Sequence, residues 1–384
     1  ELTALPSASG HEERVIAWVQ AWLAKHPHLT CTRDRAGNMH IAAAKEPPTN
    51  ARPIYFTAHM DHPAFVVERI VAPEVVEISF RGGVMDDYFP NADILIHDQH
   101  GHAHKAQLFG DPKPGEKPSP FKHYMAELSL VHPHPPLPAD KIAVGDVAVW
   151  DVGHSEIIEG NLHGLACDDL AALAAAVAAY ECLPFDELSH PVRLLLTRAE
   201  EIGFIGAIGA CRETTMPKDA RVIALENSRS FADSPIGGGP IVRVGDRMSI
   251  FHPGLTDAIA KRAEDIAGGP ATVASSQKYT QATKWKWQRK LMAGGACEAS
   301  VFCTWGYEAT CVCLPLGNYH NMANLEQVQA GEFNGTPRVA REFISVGDFE
   351  GLVDLLIACG LSLPAAGAPI ARFEKLWSER SWVL

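Results

Sequence analysis

Hydrophobic residues recur at two different intervals along the chain, and these intervals predict which segments form helices and which form strands. Val15, Val19 and Trp22 follow helical spacing, which predicts an amphipathic helix over residues 12–24. From residue 168 onward, short apolar runs alternate with helical segments. This alternation predicts an α/β fold in which helices flank a mostly parallel sheet.

The other segments of the α/β part are predicted in the same way. The predicted strands are residues 39–43, 54–58, 192–196, 221–225 and 310–316, and the predicted helices are residues 169–183, 253–266 and 349–357. Ser9 and Glu12 precede the first helix with the Ser-x-x-Glu spacing of a capping box. We therefore expect Ser9 to cap that helix.

A different pattern occupies the middle of the chain. Short stretches of alternating apolar and polar residues are separated by segments rich in turn residues, without long helices, which predicts a β-rich module. The alternating stretches are residues 68–80, 92–97 and 142–150. We expect residues 69–159 to form an inserted domain, and residues 1–68 and 160–384 to form the main α/β domain together.

Composition narrows the classes of function. The 384 residues are 47% hydrophobic and 21% charged, as in an ordinary folded protein, and about two domains are expected. A net charge of −13 argues against a nucleic-acid or anionic-membrane partner. No apolar run approaches the roughly 18–20 residues that span a bilayer. The nine scattered cysteines are typical of reduced thiols, so the cytoplasm is the expected location.

Two adjacent carboxylates, Glu200 and Glu201, follow the strand predicted at residues 192–196. Adjacent side chains on an extended chain point in opposite directions. One carboxylate of such a pair is able to bind a metal ion while the other accepts a proton from a water molecule. This division of roles is the first indication of a hydrolytic metal site.

Further candidate ligands come at the ends of other predicted elements. His59, Glu226 and His320 lie at or just after strand ends, and Asp168 begins a helix. Ligands bind at the carboxyl edge of an open α/β sheet, where these side chains are expected to meet. Imidazole and carboxylate ligands without thiolate favour zinc or a similar divalent ion, and this number of ligands suits two ions that share a carboxylate. Asp61 follows His59 closely enough to accept its second ring N–H.

All of these candidates except Glu226 lie in four short motifs. The motifs are Ala58-His59-Met60-Asp61, Ala166-Cys167-Asp168-Asp169, Ala199-Glu200-Glu201-Ile202-Gly203 and Tyr319-His320. As a set they resemble the co-catalytic zinc aminopeptidases, most closely the glutamyl aminopeptidase (tetrahedral, or deblocking, aminopeptidase) family. The resemblance extends to about residue 324. It implies a zinc-exopeptidase-like catalytic domain with an inserted small β-barrel-like domain that mediates homo-oligomerisation.

The resemblance also implies a role for each candidate residue. It implies an aminopeptidase that removes amino-terminal residues from peptides with two divalent ions, zinc or alternatively cobalt. Glu200 is implied as the general base and Asp61 as the residue that supports His59. The implied ligands are Asp168, Glu201 and His320 for one ion, and Asp168, His59 and Glu226 for the other, with Asp168 bridging.

The sequence departs from the family pattern beside the candidate site. His62 stands where the family has glutamate, Leu170 where arginine is common, and Glu226 where aspartate is more common. Residues 331–346 have no recognised counterpart. Two alternatives therefore stay open: the same site acts as a deacylase or carboxypeptidase, or the chain is an inactive peptide-binding relative.

Several other features have simpler interpretations. Glu298 is a candidate contact for the amino group of the peptide. Cys311 and Cys313 face the same side of a strand and are expected to pack in the core. The three consecutive glycines at residues 237–239 are expected to form a turn that lines the substrate cleft. The histidines expected to belong to a solvated hairpin, and not to a metal site, are His97, His100, His102 and His104.

Overall fold

The computed structural model describes residues 1–47, 50–114, 120–128, 141–272, 285–364 and 368–384. The strands are β1 (Leu29–Arg33), β2 (Met39–Ala43), β3 (Ile54–His59), β4 (Ala64–Ala72), β5 (Val75–Arg81), β6 (Asp93–His97), β7 (Ala103–Pro114), β8 (Lys122–Leu128), β9 (Val147–Trp150), β10 (Glu156–Ile158), β11 (Asn161–Gly164), β12 (Val192–Thr197), β13 (Arg221–Arg229), β14 (Ile241–Asp246), β15 (Gln288–Met292), β16 (Glu308–Leu316) and β17 (Glu342–Ser345). The helices are α1 (Glu13–Leu23), α2 (Leu170–Glu181), α3 (Ile205–Glu213), α4 (Pro253–Ala267), α5 (Glu298–Thr304), α6 (Leu325–Ala330), α7 (Val346–Leu361) and α8 (Ala368–Arg380).

An eight-stranded mixed sheet forms the centre of the main α/β domain. Its strand order is β1-β2-β12-β3-β13-β16-β14-β15. The four central strands, β12, β3, β13 and β16, are parallel to one another. Their carboxyl ends therefore lie side by side at one edge of the sheet, where an open α/β fold binds its ligands. The predicted α/β fold is confirmed.

Helices cover both faces of this sheet because the central strands are apolar on both sides. Residues of α2, α4 and α7 belong to one core cluster with Phe56 and Leu194. Residues of α3 and α5 pack against Tyr55 and Leu195, the sequence neighbours of those two residues. Successive side chains of a strand point to opposite faces, so each strand contributes to both cores.

The inserted segment forms a closed barrel with the strand order β4-β5-β8-β7-β6-β9. Its interior is an aromatic cluster in which Phe65 contacts the rings of Phe80, Phe89, Tyr124 and Trp150. As the alternating sequence pattern predicts, the apolar face of each strand points into the core of the barrel. The limits 69 and 159 stay a prediction; the barrel strands themselves run from residue 64 to residue 150.

A small antiparallel sheet joins the segment after the barrel to the segment before α7, with the order β10-β11-β17. Strand β17 lies within residues 331–346, for which the sequence offered no interpretation. Its first residue, Glu342, is fully buried and points to the candidate site described below. The sheet therefore brings a segment near the carboxyl end of the chain to the candidate site.

The predicted capping box at the first helix is wrong. Helix α1 begins after Glu12, and no side chain caps it. The Ser9 hydroxyl donates instead to the Asp61 carboxylate at 2.5 Å, because a buried carboxylate is a stronger acceptor than a neutral group. Glu12 accepts from the backbone N–H groups of Gly10 and Ala199 and from Arg198. Both residues thus support the loop that carries the paired glutamates.

Two further observations concern the whole described chain. None of its helices combines the length and the apolar character that crossing a bilayer requires. All nine cysteines are free thiols, as their number and spacing predict. Cys311 and Cys313 are buried in β16, in agreement with the packing role expected for them.

Candidate metal centre and substrate cleft

The carboxyl ends of the four central strands bring the predicted ligands together. His59 ends β3, Glu226 lies within β13, and the loops after β12 and β16 carry Glu201 and His320. Asp168 precedes α2, whose amino end points to the same place. The buried or half-buried side chains form overlapping groups in which one potential ligand atom of each residue lies within 4.8 Å of the others.

Asp168 stands between the two histidines. Its Oδ1 is 3.5 Å from Nε2 of His59, and its Oδ2 is 3.5 Å from Nε2 of His320. On the outer sides, His59 Nε2 is 3.7 Å from Glu226 Oε1, and His320 Nε2 is 3.4 Å from Glu201 Oε1. Two ligands of a tetrahedral zinc ion at about 2.0–2.2 Å are themselves roughly 3.4 Å apart, so the donor atoms fit two ions.

The hydrogen bonds of the centre support this fit. Asp168 Oδ1 is buried and has no hydrogen-bond partner, which is the condition of an oxygen that binds a cation. Burial acts to raise the pKa of Asp168, but His320 and His59 outweigh it and lower that pKa below its usual range. Asp169 also lies near His59 and accepts a hydrogen bond from its backbone N–H at 3.2 Å. Among the carboxylates that the structure describes, Asp168 alone lies within 4 Å of both histidine rings, so Asp168 is the bridging candidate.

Glu200 is buried at 8% exposure, with Oε2 4.0 Å from His59 Nε2. Burial raises the pKa of its carboxyl well above the usual range. His59 opposes this shift, and the carboxylates of Glu226 and Asp61 add to it. A general base that accepts a proton and then returns it needs a raised carboxyl pKa. Glu200 therefore has the environment expected of that role.

Asp61 fixes the backbone of the paired glutamates. Its Oδ1 accepts from the N–H of Glu200 at 2.9 Å, and its Oδ2 accepts from the N–H of Glu201 at 3.1 Å. The Nδ1 atom of His59 lies closer to the Asp61 carbonyl oxygen (3.1 Å) than to its carboxylate (3.6 Å). The Asp61 carboxylate thus lies within ion-pair distance of His59, and it also has a second task that the sequence did not indicate.

Glu342 is a site residue that sequence reasoning missed. Its carboxylate accepts from the backbone N–H of Asp168 at 3.0 Å and from that of His320 at 2.8 Å. It therefore connects two candidate ligands that are far apart in the sequence. The only available signal was a glutamate at the start of a short alternating stretch, which is too weak to indicate a buried carboxylate.

Comparison with known proteins shows which family the chain belongs to. A sequence profile described as M42 glutamyl aminopeptidase matches residues 37–331. The chain belongs to the M42 family. It is accordingly a peptide-bond hydrolase, and the peptidases of this family are metal-dependent. A search of curated proteins finds no match.

Solved structures share the fold of this M42 chain. An aminopeptidase from the archaeon Desulfurococcus kamchatkensis has a TM-score of 0.70 at 19% identity, over 94% of this chain and 92% of that one. A TET aminopeptidase from Thaumarchaeota archaeon SCGC AB-539-E09 has a TM-score of 0.71 at 17% identity, over 94% and 95% of the chains. The TET1 peptidase of Pyrococcus horikoshii has a TM-score of 0.66 at 20% identity, over 94% and 98%. These likenesses show a common fold.

Four candidate ligands of the M42 chain, Asp168, Glu201, Glu226 and His320, line a cleft of about 650 Å³. Gly83, Val84 and Met85 of the inserted segment form part of its wall, opposite residues of the catalytic domain. Arg229, Arg243 and Arg247 also line it, beside the carboxylates of the centre. The cleft is therefore bounded by both parts of the chain and carries positive charge in its wall.

Glu298 does not line this cleft. It is buried at 3% exposure, where its Oε2 accepts from the Thr197 hydroxyl at 2.9 Å. Burial raises the pKa of its carboxyl to about 7. This burial argues against the contact with a peptide amino group that the sequence suggested.

Two other sequence expectations have different outcomes. The glycine turn at 237–239 does not line the cleft as expected. Its Gly237 and Gly239 N–H groups both donate to the Asp348 carboxylate at 2.7 Å. The histidine-rich segment does form the hairpin of β6 and β7. Asp98 accepts from His102 and His104 there, and none of the potential metal-binding groups within the described residues includes these side chains.

Proposed function

We propose that this chain is a dinuclear metallo-aminopeptidase that removes amino-terminal residues from peptides, with zinc as the expected metal and cobalt as the alternative. The observation that carries the proposal is the Asp168 carboxylate between the two histidine rings, with a glutamate on the outer side of each. The proposed ligands are His59, Asp168, Glu201, Glu226 and His320. Such a set suits two ions that share one carboxylate.

In this mechanism each residue of the chain has a separate task. Bound ions of this kind lower the pKa of a water molecule and polarise the scissile carbonyl. Glu200 accepts the proton of the attacking water and delivers it to the departing amine. Asp61 keeps Glu200 and Glu201 in place through their backbone N–H groups. Burial raises the pKa of the Glu200 carboxyl, which helps it to hold that proton before delivery.

A pair of substitutions tests these tasks. Glu200→Gln should bind zinc like the wild type but lose at least about a hundredfold in kcat, because general-base catalysis contributes 10²–10⁴-fold. Glu201→Gln should lose one equivalent of bound zinc, measured by elemental analysis. Glu350→Gln, an exposed residue of α7, is the matched control and should change neither quantity. Full activity of Glu200→Gln would defeat the proposed mechanism.

The two alternatives are separated by substrate and by metal content. An aminopeptidase should cleave aminoacyl-nitroanilides and leave amino-acetylated peptides intact, whereas a deacylase or carboxypeptidase should show the opposite preference. A chain that binds no metal and gains no activity with zinc or cobalt is the inactive peptide-binding relative. The same assays therefore decide among all three functions.

Arg243 supports a preference for an acidic amino-terminal residue, in keeping with the glutamyl aminopeptidase description of the family. Its side chain lines the cleft at 2% exposure and donates to the Ser228 hydroxyl, while its Nε has no hydrogen-bond partner. Within the described residues, no carboxylate lies within ion-pair distance of it. An unpaired buried cation is costly, and a substrate carboxylate would compensate it.

This preference is tested with glutamyl- and leucyl-nitroanilide. Arg243→Gln should lower kcat/KM for the glutamyl substrate by about 30-fold or more, because removal of one partner of a buried charge pair costs at least ~2 kcal/mol. The leucyl substrate should be affected much less. Arg247→Gln, an exposed arginine at the same cleft, is the control and should have a smaller effect. Equal losses on both substrates would contradict a specificity role.

We also propose that the chain forms a homo-oligomer through its barrel. The TET1 peptidase of Pyrococcus horikoshii assembles into a tetrahedron or a large octahedral shell. On the barrel of this chain, Ile70, Val71 and Phe109 are apolar and exposed. Val71→Asp should reduce the mass measured by light scattering, whereas Ile250→Asp, on the catalytic domain and 72% exposed, should not. An unchanged mass for Val71→Asp would argue against this surface.

A further inference from the structure

The segment that carries His320 has an unusual backbone. Asn318, His320, Asn321 and Asn324 all have positive φ, at 51°, 53°, 63° and 54°. Each left-handed residue other than glycine costs roughly 1–2 kcal/mol, so such a run persists only where its surroundings hold it. The contacts that hold this segment therefore decide where the imidazole of His320 lies.

On one side, the catalytic domain supplies these contacts. Glu342 accepts from the His320 backbone N–H at 2.8 Å. The side-chain amide of Asn321 donates to the carbonyl oxygens of Leu165 and Ala340, at 2.9 and 3.1 Å. These bonds fix the backbone of the segment, but none of them reaches the His320 ring.

On the other side, the contacts come from the inserted segment between β5 and β6. The Nδ1–H of His320 donates to the carbonyl oxygen of Gly83 at 2.6 Å. This bond fixes the tautomer and leaves Nε2 free to face Asp168 and Glu201. The ring that is proposed to bind metal is thus oriented by a carbonyl group of the inserted segment.

Tyr88 anchors the same segment to the His320 loop. Its hydroxyl donates to the Ala323 carbonyl oxygen at 2.6 Å, and burial raises its pKa to about 12, so it stays a donor at neutral pH. Its ring, at 1% exposure, packs with Met322 and Leu325 in a small apolar cluster. The backbone N–H of Met85 also reaches Met322 Sδ at 3.5 Å.

We infer that the inserted segment Gly83–Tyr88 positions His320 for metal binding, with Tyr88 as the positioning residue that anchors it. The inference rests on the proposed dinuclear function. It gives the inserted domain a task inside each subunit that is separate from assembly. Tyr88 does not face the proposed ligand atoms itself; it acts through the loop and the Gly83 carbonyl.

The test uses the full-length chain and zinc alone as the probe. Tyr88→Phe keeps the ring and its packing but removes the donor to Ala323. Competition with a chelating dye should show that the wild type binds two zinc equivalents. In Tyr88→Phe, one of these equivalents should bind about tenfold more weakly. Loss of a contact that supports a metal ligand lowers metal affinity by about 10–100-fold, and the lower end of this range applies here. Excess zinc should restore kcat.

Tyr124→Phe is the matched control. Tyr124 is buried in the same barrel at 3% exposure, and its hydroxyl has no hydrogen-bond partner. Removing that hydroxyl should leave zinc affinity and kcat unchanged. A second variant, Met322→Leu, removes the sulfur acceptor of Met85 while it conserves volume. It should weaken the same zinc equivalent to a smaller extent.

Thermal unfolding separates a local effect from a general loss of structure. The metal-free forms of Tyr88→Phe and Tyr124→Phe should both unfold near the wild-type temperature. Tyr88→Phe with two zinc equivalents of wild-type affinity would overturn the positioning role and leave the proposed function intact. A wild-type chain that binds no zinc would overturn both.

Discussion

Asp61 offers the sharpest test of how the centre is built. Its carboxylate accepts hydrogen bonds from the N–H groups of Glu200 and Glu201 and from the Ser9 hydroxyl, at full burial. Asp61→Asn keeps the shape of the side chain but replaces one acceptor oxygen by an NH₂ group. At least one of the backbone donors then faces another donor and loses its bond.

The magnitude follows from these contacts. A hydrogen bond to a charged group contributes about 1.5–3 kcal/mol, and a buried donor left unsatisfied adds a desolvation cost, so Asp61→Asn should destabilise the metal-free chain by about 2–4 kcal/mol. At roughly 2–4 °C for each kcal/mol, the thermal midpoint should fall by about 4 °C or more. Ser9→Ala removes only one donor to the same carboxylate and should cost less.

The pH dependence gives this prediction a definite sign. Burial acts to raise the pKa of Asp61, but His59, the Ser9 hydroxyl and the Glu200 N–H lower it below the usual value. A carboxylate with a lowered folded-state pKa contributes stability above its unfolded pKa of about 4, and this stability is lost as pH falls through the folded pKa. The difference between wild type and Asp61→Asn should therefore shrink in acid. Thermal unfolding of both chains from pH 7 to pH 3 measures it, and equal midpoints at pH 7 would refute the reasoning.

Three further predictions follow from other parts of the structure. Phe65→Ala should destabilise the barrel by about 3–5 kcal/mol in urea unfolding, because Phe65 is fully buried among four aromatic rings; a change below 1 kcal/mol would contradict the packing argument. The pKa of Glu298 is raised to about 7, so this carboxyl should contribute stability that is complete below about pH 4.3 and lost as pH rises through 7. The thermal midpoint of Glu298→Gln should therefore fall less steeply over this pH range than that of the wild type. An equal fall in both chains would exclude Glu298 as the source of the pH dependence. Removal of metal with a chelator should abolish peptide hydrolysis and lower the thermal midpoint, and added zinc or cobalt should restore both; activity that survives chelation would argue against metal dependence.

Much of the fold can be predicted from the sequence because its signals are local. Strand β2 occupies the predicted residues 39–43. Helix α4 begins at the predicted residue 253 and ends one residue after the predicted residue 266. Strand β13 continues through Glu226 to Arg229, so the site residue lies inside the strand and not at its end. The unpredicted elements include strands β14 and β15 and helices α5 and α8.

The sequence alone also determined which residues are candidates for the site. His59, Asp168, Glu200, Glu201 and His320 lie in short motifs, and Glu226 directly follows a predicted strand. Their residue types suit one chemistry. The carboxyl ends of parallel strands meet at one edge, and this general property of the fold placed those motifs together. Local patterns and a topological rule were sufficient for that step.

Only the tertiary structure decided what surrounds these residues. Glu342 reaches the centre from β17, Gly83 from the inserted segment, and Arg243 from β14. The same structure removed Glu298 from the cleft and gave Ser9 to Asp61 instead of a helix cap. These contacts depend on burial and on hydrogen bonds between segments more than fifty residues apart, which no local spacing of residue types encodes.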